Sequence, residues 1–149
     1  MKSRQARIRR VVEIRNKELS ERVARLSTAQ QQELGAAGRV ERARLEMEQA
    51  IVARRDLQQE VTNSLTLMEC EEWLAVKSYH FDVARHDLLR AQRIRARLQV
   101  DVLRAREKLK QLEKLQARLA SRERVEAERR ERAEHDELAQ LARRRINER

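Results

Sequence analysis

Three histidines and one cysteine are the side chains of this 149-residue sequence best suited to hold a metal or attack a substrate. Two ligands at i and i+4 share one face of a helix, but His80, His86 and His135 do not have that spacing. Cys70 stands ten residues from His80 with no second thiol, so neither a zinc site nor an activated nucleophile is expected. A lone cysteine cannot close an internal disulfide and suits a reducing compartment. The stretch GAAG at 35–38 lacks the strand before it and the Lys-Ser/Thr after it that a phosphate loop needs. No catalytic, metal-binding or cofactor-binding residue is expected, and the chain reads as a non-enzyme.

The chemistry that remains is recognition. All three aromatic residues, Trp73, Tyr79 and Phe81, fall within nine positions. At 100° per residue, Tyr79 shares a helical stripe with Val76, Val83, His86 and Arg90, and that stripe points away from the face holding Phe81. An outward apolar stripe fits a contact surface for another protein, or self-association of two copies. Basic residues concentrate elsewhere. Arg4, Arg7, Arg9 and Arg10 open the chain and Arg143, Arg144 and Arg145 come near its close. Residues 1–25 hold nine basic and three acidic groups, net +6. Such a cluster suits a solvated face, a phosphate backbone or an acidic protein cavity. The interleaved Glu13, Glu18 and Glu21, and the lack of stacking aromatics nearby, count against nucleic acid.

These residues must be carried by helices. The chain has no proline, two glycines and 40% charged residues, with a net charge of +10, a composition typical of long helices and coiled coils. No apolar run is long enough to span a membrane, and no apolar segment follows the basic start as a secretory signal would require, so cytoplasm is expected. From Leu74 to Leu119 a 4,3 spacing passes through fourteen positions, of which eleven are apolar. The first half carries a weaker seam: Val12, Leu19, Val23, Leu26, Ala37, Val40, Met47, Ile51, Val61 and Leu65. It drifts near Gly35 and Gly38. A turn at ELGAAG is possible, but one within VTNSLT makes two arms of comparable reach. The expected architecture is therefore all-α: one antiparallel coiled-coil hairpin over 1–149. Helix one is expected at about 4–61, the turn at 62–67 and helix two at about 68–146. Centring the turn on Asn63 and Ser64 pairs residues whose numbers sum to about 128. The pairs are Val61/Leu67, Met47/Phe81, Val40/Leu88, Ala37/Ala91, Leu26/Val102 and Leu19/Leu109. Cover of helix two by helix one should end near Arg124–Glu128, leaving a helical overhang. Charge is uneven along the chain. Residues 26–83 are net −4 and residues 84–121 net +7.

With this pattern the chain resembles the flagellar FliJ family, the coiled-coil stalk of the type III export ATPase complex, and more distantly YscO-like stalks of injectisomes. The resemblance spans nearly the whole chain. It rests on the basic start MKSRQARIRRVVEIRNKELSE, on EEWLAVKSYHFDVA opening the second helix, and on LEKLQARLASRERVEAERRERAEHDELAQLA. It implies a hairpin similar to the central stalk of the rotary ATP synthase, with no enzymatic activity of its own. It also implies insertion of the terminal end, with Arg4, Arg7, Arg9, Arg10, Arg143, Arg144 and Arg145, into a hexameric export ATPase. Val76, Tyr79, Val83, His86 and Arg90 match the family's patch for the export-gate membrane protein in position and character. Export chaperones are further implied partners. The family's role places such a protein at the cytoplasmic face of the inner membrane, peripherally and without insertion. Gly35 and Gly38 depart from what the family leads one to expect. The alternative from another class is a basic nucleic-acid-binding coiled coil or a homodimeric scaffold.

Overall fold

A computed structural model describes residues 2–60 and 63–148. It is an all-α helical hairpin of two elements, α1 (Lys2–Gln59, 58 residues) and α2 (Ser64–Asn147, 84 residues). Chain contacts divide into two compact units, one of residues 1–19 with 104–149 and one of residues 20–103.

In the unit of residues 20–103, α1 and α2 run antiparallel. Glu33, Glu46 and Arg54, in rising order, meet Arg95, Lys77 and Glu71. On α2 the 4,3 seam is as the spacing predicts, and all fourteen positions from Leu74 to Leu119 are buried or half-buried. On α1 the phase differs from expectation. Val23, Ala37 and Ile51 are exposed, as is Leu65, which belongs to α2. The seam runs through Arg22, Ala29, Ala36, Ala43, Ala50 and Leu57, interleaved with Leu26, Val40 and Met47. An alanine every seventh residue gives weak apolar contrast, and β-branched neighbours out of phase mask it. Among the described residues, five of the eight most buried side chains are alanines (Ala29, Ala36, Ala50, Ala84 and Ala105), so each seam layer buries little area. α1 does not break at Gly35 and Gly38, and neither glycine has a positive φ. With no proline present, the buried Ala36 and the half-buried Val40 hold the helix against α2 through that stretch.

The turn is tighter than expected. α2 begins at Ser64, not 68, because Asn63 caps it: its Oδ1 accepts from the Leu65 N–H at 3.2 Å and its carbonyl from the Leu67 N–H at 3.3 Å. α1 ends at Gln59, not 61. The expected Val61/Leu67 pair and the first part of the expected turn involve Val61 and Thr62, which lie outside the described residues. Moving the turn earlier lowers the pairing sum near it. Glu46–Lys77 sums to 123 and Arg54–Glu71 to 125, whereas Glu33–Arg95 meets the expected 128.

In the unit of residues 1–19 and 104–149, Gln5 donates a hydrogen bond to Glu123, again at a sum of 128. Ala105 and Leu109 are its most buried side chains. Half-buried positions on α2 end with Glu123 and Glu126, and residues 127–148 are exposed throughout. This is the expected overhang.

Candidate partner-binding surfaces

The seam determines which side chains are left for partners. On α2, positions 74, 77 and 81 turn inward, so 76, 79 and 83 must turn outward. Val76 is 48% exposed, Tyr79 67% and Val83 40%. His86 and Arg90 continue the stripe, also exposed, and Arg90 is tied to Asp87 at 2.9 Å. All five residues lie on one outward face within the unit of residues 20–103. Phe81, half-buried in the seam, carries the Arg85 guanidinium 5.6 Å from its ring centre. Trp73 lies beside the stripe with the Lys77 ammonium 6.0 Å from its ring. That same ammonium reaches across to Glu46 at 2.9 Å, and the hydrogen bond holds the Glu46 carboxyl below the usual carboxylate range. The Trp73 and Phe81 rings are thus each flanked by a cation, while the Tyr79 ring centre lies 6.3 Å from that of the neighbouring His80.

The basic residues form two clusters, and the structure does not bring them together. Arg4, Arg7, Arg9 and Arg10 are exposed on α1. Arg4 and Gln5 line an open groove with Leu119, Arg122, Glu123 and Glu126, and Arg9 pairs with Glu13 at 3.5 Å. Arg143, Arg144 and Arg145 stand 17 or more residues past Glu126, about 26 Å or more farther along α2 at 1.5 Å per residue. The opening cluster therefore flanks the covered stretch of α2, and the closing cluster sits on the bare helix.

Exposed apolar sets that the sequence pattern did not mark include one on each helix. On α1, Leu34 (74% exposed), Leu45 (46%) and Val52 (52%) face outward around a bridge in which Arg44 joins Glu41 and Glu48. The hydrogen bond from Arg44 holds the Glu41 carboxyl low, and Arg44 is itself pushed up by Glu41. On the overhang, Leu138, Leu141 and Ile146 are bare. A correctly phased α1 seam would have found the first set, since all three residues then lie opposite Ala36, Val40 and Met47. Among the described residues no three His, Cys, Asp or Glu side chains gather as a metal site requires, and no helix is long and apolar enough to cross a membrane. No family model, curated protein or solved structure matches the chain.

Proposed function

We propose that this chain is a non-enzymatic coiled-coil stalk of a type III protein export ATPase complex, of the kind the FliJ resemblance implies. The unit holding residues 1–19 and 104–149 docks in the ring of the hexameric export ATPase and promotes its assembly and activity. The Val76–Arg90 face meets the export-gate membrane protein, and export chaperones are handed along the same route. These contacts hold the protein peripherally at the cytoplasmic face of the inner membrane. A rod inside a ring presents a different face to each subunit and so breaks the ring's symmetry.

The observation that carries this reading is the bare stripe of Val76, Tyr79 and Val83. It lies on a face of α2 that the seam does not use, and packing against α1 does not account for it. The exposed arginines support the second contact, because exposed charges contribute little to stability and their concentration suits an acidic partner. The test combines capture of a hexameric ATPase from native lysate with two variants. Tyr79→Ala/Val83→Ala should weaken gate binding by about fivefold or more with melting unchanged. Reversing Arg7, Arg10, Arg144 and Arg145 to Glu should reduce ATPase stimulation, most at low salt. Unaltered stimulation together with salt-dependent binding to arbitrary duplex DNA would replace the stalk with a nucleic-acid-binding coiled coil.

A further inference from the structure

The bare stretch of α2 has a charge order that complements itself. Residues 127–147 are helical, exposed and without a facing helix. Glu134, Leu138, Leu141 and Arg145 follow one another at steps of 4, 3 and 4, which puts them on one face. Leu138 is 63% exposed and Leu141 53%. Turned end for end, this four-residue face reads Arg, Leu, Leu, Glu. Two copies laid antiparallel about a two-fold axis between Leu138 and Leu141 would therefore set Glu134 against Arg145, and Leu138 against Leu141, each pair occurring twice. Flanking positions obey the same rule, since Glu137 of one copy comes opposite Arg144 of the other, the arrangement that sets orientation in coiled coils. Among the described residues none of these four charged side chains is committed to an ion pair. A bridge on the overhang joins Arg132 to Glu128 at 4.0 Å.

We infer that this segment is a self-association site whose occupant is a second copy of the same chain, paired antiparallel over residues 134–145. Self-complementarity selects the second copy. An unrelated acidic or basic partner would satisfy one half of the face and oppose the other. The site ends where the complementarity ends, because the next step outward sets Glu131 against Glu148. Twelve residues of helix are about 18 Å long. The contact is well below the area of a stable dimer, so association is weak and reversible. It covers Arg144 and Arg145, so a paired overhang is closed to any other partner that uses those arginines. The inference concerns the isolated protein and stands whether or not an ATPase is its partner.

Sedimentation equilibrium on the full chain tests it by charge exchange. At low salt the unaltered protein should show concentration-dependent dimers that dissociate as salt rises. Glu134→Arg/Glu137→Arg places Arg against Arg, and Arg144→Glu/Arg145→Glu places Glu against Glu. Each variant alone should dimerise about tenfold more weakly or worse. Mixed in equal amounts, the two variants should form a heterodimer at least as strong as the unaltered one, since every pair is then opposite in sign. All four positions are exposed, so circular dichroism should show both variants fully helical. A monomer at all concentrations, variants that dimerise like the unaltered protein, or a mixture with no heterodimer would each overturn the inference.

Discussion

At the scale of single residues, the side chains available for recognition are those the seam leaves unused, and the same logic applies to the glycines. Gly38 sits in mid-helix with negative φ, and a Cβ added there meets nothing within 4 Å. At Gly35 the added Cβ would be 3.6 Å from Arg39 Nη1, an ordinary contact with the end of a flexible side chain. Neither position uses glycine's conformational freedom, while both carry its entropic penalty in the unfolded state. Gly38→Ala should therefore stabilise the hairpin by about 0.5–1 kcal/mol, measured as a higher denaturation midpoint at unchanged m-value. A lower midpoint would mean that the α1 backbone needs a glycine there for close packing. Tyr79 shows the opposite economy. A large amphipathic ring held two-thirds exposed contributes little to folding and is suited to anchoring a partner.

Between elements, alanine layers give two helices a close approach but poor discrimination among registers, since one alanine fits against another as well as the next. Polar seam residues supply what the alanines lack. Glu33 and Arg95 both occupy seam positions and meet at 2.6 Å, with side chains 22% and 32% exposed. A slip by one heptad would bring Glu33 toward Leu88 or Val102 and leave both charges half-buried without a partner. The pair therefore specifies register more than it stabilises. Replacing Arg95 alone by Leu should cost about 1–3 kcal/mol, because Glu33 is left in the seam uncompensated. Replacing both by Leu should recover most or all of that stability. Chemical denaturation of the two variants decides the point, and a double variant no better than the single one would show that the pair holds the hairpin together by itself. The Glu46–Lys77 bridge nearer the turn acts in the same direction. The Glu46 carboxyl is held low, so the stability it brings is complete above the ordinary carboxylate range. It fades as pH falls through the lowered value.

For the molecule as a whole, α2 is 84 residues long and α1 is 58, and most of the difference emerges as helix exposed on every side past Glu126. Folding does not require those residues. Ending the chain after Ala127 should leave the thermal midpoint within a few degrees of its original value, since surface positions contribute within about 0.5 kcal/mol each. The helical signal should fall in proportion to the residues removed. A collapse in melting temperature would show that the overhang packs on something in solution. With the midpoint retained, loss of ATPase stimulation or of self-association would assign the overhang to recognition.

Much of this protein is determined by its sequence alone. The absence of proline, the scarcity of aromatic residues and the unbroken 4,3 spacing from Leu74 to Leu119 require a long helix with one buried stripe. That stripe in turn requires Tyr79 and its neighbours to face outward. These follow from helical periodicity, which is local. Three things the sequence pattern left open; two of them are not local, and only the tertiary structure decided those. The α1 seam runs through Ala29, Ala36, Ala43 and Ala50 because α2 presses there, whereas hydrophobicity alone favours the more apolar but outward Val23 and Ile51. The early start of α2 is the local one: the Asn63 Oδ1 accepts from the Leu65 N–H two residues on, a cap that hydrophobic spacing does not reveal. The opening and closing arginine clusters are separated because α2 continues past Glu126, and only the register between the two helices determines where cover by α1 ends.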